Sequence, residues 1–530
     1  MTAGCIKDNS TSGESMISKV KLPADDTRVV NVGEEAVIDP LIEWNGENES
    51  DYTFRWVLNG HEDISTEKVL RYVFKDTGAN YLNLFVTNKR TGISANQEYL
   101  VTVSRPFFLG WLILSKGASD ESKLSFVKMD THEFYPDIYA SLYPDKPLSA
   151  KPAGLATLGL SATDQICVMH EGGDWEMLSG DNFSNISSLK EEFIGGDYPE
   201  GFEPAKIYFS QRGEDFVIGK NGVIYDRMTV SPTATTYIPN SYQFNTVPYT
   251  YKGYDNPAMY PTTVTPKFTT ATFFNGSYYI PVYDEANRRW VPFGTSVSGP
   301  RNIVGMAWSG AKSTNGLDYF KGMDEGAELV YGEAYPATTS FLHITQLFTV
   351  VNKDGKTWAN RANWQVNTSG AMTCTVSAYT EKEIPSEYTI TKDTPMWLMS
   401  GNLTAATQYS EPFLFFAQST KLYVYQYNTG IVKLVRDFSA GASACTGDIV
   451  SIVQRGDAQE LGVLTSSGDF YVLNMPRASA MNIIQDNINA DDPDNNGLEA
   501  AHVSGVPGTP LKVIFKYGKG NNRLNYKIDY

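Results

Sequence analysis

Three groups of residues in this 530-residue chain have types and spacing that could support chemistry. The first is Cys5, which ends the run Ala3-Gly4-Cys5. A cysteine after two small residues is the end of a bacterial lipobox, where signal peptidase cuts and the cysteine then carries acyl chains. Their membrane grip would be about 0.8 kcal/mol per buried CH₂. The apolar stretch expected before such a cysteine is missing, so the sequence is expected to begin late. A polar leash, Lys7 to Glu14, would follow the anchor.

The second group is Asp492-Pro493-Asp494-Asn495-Asn496-Gly497, which fits the first six positions of a calcium loop. Asp492, Asp494 and Asn496 would supply the oxygens of a structural calcium site. Val503 stands at the twelfth position, where a bidentate Glu belongs, and proline inside the loop is a further departure. A solvated acidic loop is therefore the preferred reading, and no other cofactor is expected.

The third group is aromatic. Residues 231–267 carry Tyr237, Tyr242, Phe244, Tyr249, Tyr251, Tyr254 and Tyr260 among six prolines. So many prolines exclude central strands, and long ordered loops in compact domains tend to be functional. The expected ligand-binding residues are Tyr242, Tyr249, Tyr251, Tyr254 and Tyr260, stacking on sugar rings. The alternative is that these rings only pin the loop to the wall beneath it.

Catalytic patterns are lacking. There is no G-x-S-x-G and no P-loop. Glycoside hydrolysis needs two carboxylates roughly 5–10 Å apart, and none of the 60 acidic residues has a distinctive context. The expectation is a non-enzymatic protein with no catalytic residues. A net charge of −17 and no basic cluster exclude nucleic acid as a partner. No run approaches the roughly 20 apolar residues that span a bilayer, which leaves the lipid as the only membrane device. Apart from Cys5, the cysteines are Cys167, Cys374 and Cys445, read as buried thiols.

The elements that must position these residues are short strands. In residues 20–104, Phe54-Arg55-Trp56-Val57-Leu58 alternates and Asn59-Gly60 supplies a turn. Tyr72-Val73-Phe74, Asp76-Thr77-Gly78, Tyr81-Leu82-Asn83-Leu84 and Val86-Thr87-Asn88 follow. This string resembles a PKD-type immunoglobulin-like domain. It departs after the Trp, where Asn59-Gly60-His61-Glu62 replaces the usual acidic Gly-Asp-Gly loop. The resemblance implies a spacer or adhesion sandwich.

Residues 105–530 repeat a different unit: apolar strand, polar turn, strand with a Tyr or Trp. Trp111–Ser115 with Leu124–Val127, and Phe413–Ala417 with Lys421–Tyr425, are examples. About seven such units predict a β-propeller of six to eight blades. Leu511–Tyr517 is expected to close the ring against the first strand after the sandwich. Tyr283–Trp290 resembles a kelch strand end, and Asn352–Trp358 resembles a shortened Asp-box of sialidases. Both are expected to tuck a Trp under a hairpin.

The predicted fold is thus all-β. Residues 1–19 form the lipobox remnant and leash, 20–104 a PKD-like sandwich, and 105–530 the propeller with its Tyr/Pro-rich insertion at 231–267. The whole chain resembles PKD-like family lipoproteins of Bacteroidetes. That resemblance implies an outer-membrane lipoprotein at the cell surface, capturing glycan or peptide for a transporter complex of a nutrient-uptake system. The alternatives are a propeller glycoside hydrolase with channel carboxylates, and a structural adhesin that binds an envelope protein.

Overall fold

The computed structural model describes residues 18–23, 26–33, 35–75, 78–104, 107–159, 164–208, 214–228, 243–248, 267–271, 279–294, 307–309, 319, 322–336, 344–367, 373–399, 412–455, 460–475 and 498–517. Almost all regular structure in them is strand, and Ile138–Leu142 is a single short α-helix. Among the described residues no helix is long and apolar enough to cross a membrane. The chain forms two compact units, residues 1–106 and 107–530.

The first unit is a sandwich. One sheet has the strand order Asp26–Asn31, Ser94–Ser104, Gly78–Asn88, Tyr52–Leu58, Glu62–Ser65, and the second pairs Glu35–Ile38 with Leu70–Val73. Strand alternation decides which side chains meet. In Gly78–Asn88 every second residue, Leu82, Leu84 and Val86, is fully buried. They pack around Trp56, which is 0% exposed, lies 5.4 Å from the Tyr99 ring and donates its indole N–H to the Glu67 carbonyl. Asn59 and Gly60 both take positive φ (49° and 76°), which turns the chain between Leu58 and Glu62.

The second unit contains seven successive sheets among the described residues, antiparallel throughout except that Ala307–Ser309 runs parallel to Thr373–Ile384. Neighbouring sheets share apolar cores. Sheets one and two meet through Leu114, Phe126, Leu155 and Ile166, and two and three through Cys167, Met177, Ile207 and Val217. Sheets four and five share Trp290 and Leu347; five and six share Phe348 and Leu414. Sheets six, seven and one share Phe415, Val463 and Trp111. Between sheets three and four the approach is closer still. A Cβ on Gly222 would lie 2.6 Å from the Lys267 Cα, and the Phe268 N–H donates to the Gly222 carbonyl. Gly222 also holds a φ of 81°, so glycine is required twice over.

The ring is therefore closed: a β-propeller, with seven blades among the described residues. Its seam lies in sheet one, where Thr509–Lys516 pairs antiparallel with Gly110–Lys116, as the sequence led us to expect. Closure removes the open sheet edge that a linear array would leave. Two glycines make room for tryptophans of a neighbouring sheet. Trp111 packs where a Cβ on Gly462 would sit, and Trp290 where a Cβ on Gly332 would sit. The Asp354-Gly355 turn of the Asp-box-like stretch takes the positive φ pair of a tight hairpin (51° and 74°) between Lys353 and Lys356. Trp358, expected beneath that hairpin, is instead only half-buried, with the Lys356 ammonium 5.7 Å from its ring. Trp290 is the tucked one, because Gly332 opens a slot for it.

Candidate ligand site in the propeller channel

One strand of each sheet faces the ring axis. Thr509–Lys516 touches both Pro152–Gly159 and Ile449–Gln454, and Ile449–Gln454 touches Met396–Met399. The corresponding strands of sheets three, four and five are Pro204–Tyr208, Phe268–Ala271 and Glu328–Pro336.

These inner strands share a feature that simple alternation does not foretell. Six of the seven carry a β-bulge near the start, with one extra residue opposite the second strand. The extra residues are Ala153, Ala205, Thr269, Val330, Val450 and Leu511, and none of them is buried. The residues before them, Pro152, Pro204, Phe268, Leu329, Ile449 and Pro510, are all buried. A bulge bends its strand and re-aims the side chains that follow. Here the following residues, Gly154, Lys206, Thr270, Tyr331, Ser451 and Lys512, form equivalent positions around the axis.

A cavity of about 390 Å³ lies at this level. Inner strands of six sheets line it, through Lys206, Thr270, Tyr331, Trp397, Ile452 and Lys512. Glu285, Glu333, Lys392 and Thr394 also contribute. The size is that of a small-ligand pocket. Several wall groups are fixed. The Tyr331 hydroxyl accepts from the Leu398 N–H at 3.1 Å and donates to Glu333 Oε2 at 3.2 Å. Burial, and then the nearby Glu333 charge, push the Tyr331 phenol well above its ordinary pKa, so it stays a donor. Trp397 donates to Gln454 Oε1 at 3.2 Å. Glu285 is paired with Lys267, and Lys392 with Glu328, each at 3.0 Å.

Cys5, Tyr242, Tyr249, Tyr251, Tyr254, Tyr260, Asp492, Asp494 and Asn496 all lie outside the described residues. Their flanks are described. Phe244, inside the 231–267 stretch, is fully buried against Phe193, and the Arg227 guanidinium lies 4.9 Å from its ring centre. That point pins the stretch to the third sheet. Lys267, where the described chain resumes, precedes Thr269 and Thr270 at the cavity wall. Val503, the twelfth position of the calcium-loop pattern, is buried in the strand Glu499–Val503 opposite Phe470. Among the described residues no group of three His, Cys, Asp or Glu side chains could hold a metal ion. Cys167 and Cys445 are buried free thiols, and burial pushes the Cys167 pKa up.

Lys206 and Lys512 were not legible as site residues. A signal was present: Pro152-Ala-Gly154-Leu, Pro204-Ala-Lys206-Ile and Pro510-Leu-Lys512-Val are one repeat that opens three inner strands. The buried proline marks the strand start, and in two of the three repeats the third position, Lys206 or Lys512, lines the cavity.

Residues 14–152 match the PKD-like family, a span that runs past the sandwich into the second sheet of the propeller. No curated protein sequence matches this chain. Among solved structures it is similar to a quinonprotein alcohol dehydrogenase-like protein from Bacteroides thetaiotaomicron. The identity is 13%, the match covers 93% of this chain and 96% of that one, and the TM-score is 0.37. It is also similar to AztD from Citrobacter koseri, with 10% identity, 88% and 99% coverage and a TM-score of 0.34. The WD40 domain of SCAP from fission yeast has 8% identity, 52% and 53% coverage and a TM-score of 0.30. The sequence match thus identifies a PKD-like segment over residues 14–152, joined to a propeller that closes on its own last described strand.

Proposed function

We propose that this chain is a non-enzymatic capture protein, anchored by a lipid on Cys5 at the outer membrane and presenting its propeller to glycan or peptide ligands for a neighbouring transporter. The observation that supports capture is the 390 Å³ cavity at the ring axis, walled by polar and aromatic residues of six sheets. The sandwich would serve as spacer between anchor and ring.

The test is a glycan-array screen of the soluble chain lacking Cys5, with product analysis on every hit. Binding without turnover is the expected result, and Tyr249→Ala with Tyr251→Ala should weaken it by about tenfold or more, since ring stacking contributes roughly 1 kcal/mol or above per contact. Unchanged affinity removes the tyrosines from the site. Released oligosaccharide favours the hydrolase reading and turns attention to Glu285 and Glu333. The anchor is checked separately. Palmitate labelling of the full-length precursor in a bacterial host should disappear in Cys5→Ser, and labelling that persists would sink the lipid assignment.

A further inference from the structure

We propose that the propeller channel is a blind pocket with a single mouth, and that it therefore takes the free end of a glycan chain and not an internal stretch. The inference rests on the capture reading above and names the part of the ligand that is held.

Each inner strand stands last in its sheet, so one backbone edge has no partner strand in that sheet and faces the axis. A water-filled bore would wet that edge along the whole strand. Near the strand starts solvent does enter, and all six bulged residues meet it. Further along, the exposure stops. Thr157, Tyr208, Ala334, Met399, Gln454 and Lys516 stand toward the other ends of six inner strands, and none is more than 4% exposed. No continuous column of water passes residues buried to that degree, in backbone as well as side chain. The closed end is also tied across sheets. Trp397 donates to Gln454 between sheets six and seven, and Lys516 to Asp164 between sheets one and two.

A long chain can thread a bore that is open at both ends. A blind pocket admits only what enters and leaves by one mouth. The volume of about 390 Å³ suits one small molecule or the last units of a chain. Thr269, Thr270, Thr394 and Tyr331 bring hydroxyls to the wall, while Glu285 and Lys392 are held in ion pairs. This set suits the neutral, hydroxyl-rich end of a glycan. A peptide terminus carries a full charge, which is costly to bury without a counter-charge.

The experiment is a binding series on the soluble chain lacking Cys5, with linear oligosaccharides and their parent polysaccharides matched by sugar mass. Binding should scale with the number of chain ends, so each polysaccharide should bind far more weakly than its oligosaccharide. Thr269→Trp, which fills the mouth, should weaken binding by at least about tenfold at unchanged thermal stability, because no second mouth offers another way in. Val330→Trp is the second plug, should the first fail to fold. Equal binding per sugar unit by polymer and oligosaccharide, or full binding by a folded plugged protein, overturns the proposal while leaving the capture reading standing. Binding of peptides alone overturns it as well. No binding to either class takes the capture reading with it.

Discussion

Replacing Lys516 by methionine is expected to lower the stability of the propeller by about 3–5 kcal/mol, the usual cost of removing one partner from a buried ion pair. Lys516 lies on the closing strand and is 0% exposed. Its ammonium donates to Asp164 Oδ2 at 2.5 Å and to the Phe108 carbonyl at 3.1 Å. The pair therefore ties the last described strand of the chain to the second sheet and to the beginning of the first. The surroundings are tight: a Cβ on Gly180 would lie 2.2 Å from Asp164 Oδ1. Methionine would fill the lysine stem's space but leave a carboxylate that is 1% exposed facing an apolar neighbour. Water has little room to compensate. The double variant Lys516→Met with Asp164→Leu should recover most of the loss, because an apolar pair often replaces a buried ion pair at little net cost. Urea unfolding of the three proteins measures both effects. A single variant within about 1 kcal/mol of wild type would show that the pair does not hold the seam.

Arg227→Met is expected to be at least as damaging, because one guanidinium serves two carboxylates. Arg227 donates to Asp215 at 2.8 Å, to Gln165 at 3.1 Å and to Glu192. Ser187 donates to the other Glu192 oxygen. Arg227, Asp215 and Glu192 are each at most 1% exposed. The cluster joins sheet two to sheet three and carries more negative than positive charge even when intact. Without Arg227 both buried carboxylates lose the guanidinium they accept from, and about 3–5 kcal/mol or more should be lost. Arg227→Lys should restore only part of it. An ammonium is a point charge on a flexible stem and does not reproduce a planar fork that reaches three acceptors. Denaturant midpoints in the order wild type, Lys, Met are the expected result. Lys and Met variants of equal stability would mean that charge is irrelevant here and shape alone matters.

These buried charges were not legible in the sequence, for a physical reason. Asp164, Arg227 and Lys516 look like ordinary surface residues because their partners are distant in the chain, and only the fold brings them together. What is local was legible. The alternation in Gly78–Asn88, the Asn59-Gly60 and Asp354-Gly355 turns and the recurrence of hairpins all encode short-range geometry. The closing strand could also be anticipated, since a ring of sheets leaves an edge that something must cover. The channel positions were missed because a bulge adds one residue whose one compositional mark, a proline just before it, occurs in only three of the inner strands, and it shifts the side-chain register from Lys206 and Lys512 onward. The tyrosine and acidic-loop candidates lie outside the described residues, so their role rests on the binding experiments.

Closure by a late strand also sets a schedule for the ribosome. Lys516 binds a carbonyl 408 residues upstream. At 5–20 residues per second, roughly 20–80 s separate the synthesis of the two partners. The sandwich can fold early in that interval. The apolar strand Gly110–Lys116 cannot find its mate, and its edge stays open to other nascent chains. The yield of this protein should therefore depend on whatever shields that strand until translation ends, and shortened products that stop before Thr509 should be cleared rather than accumulate.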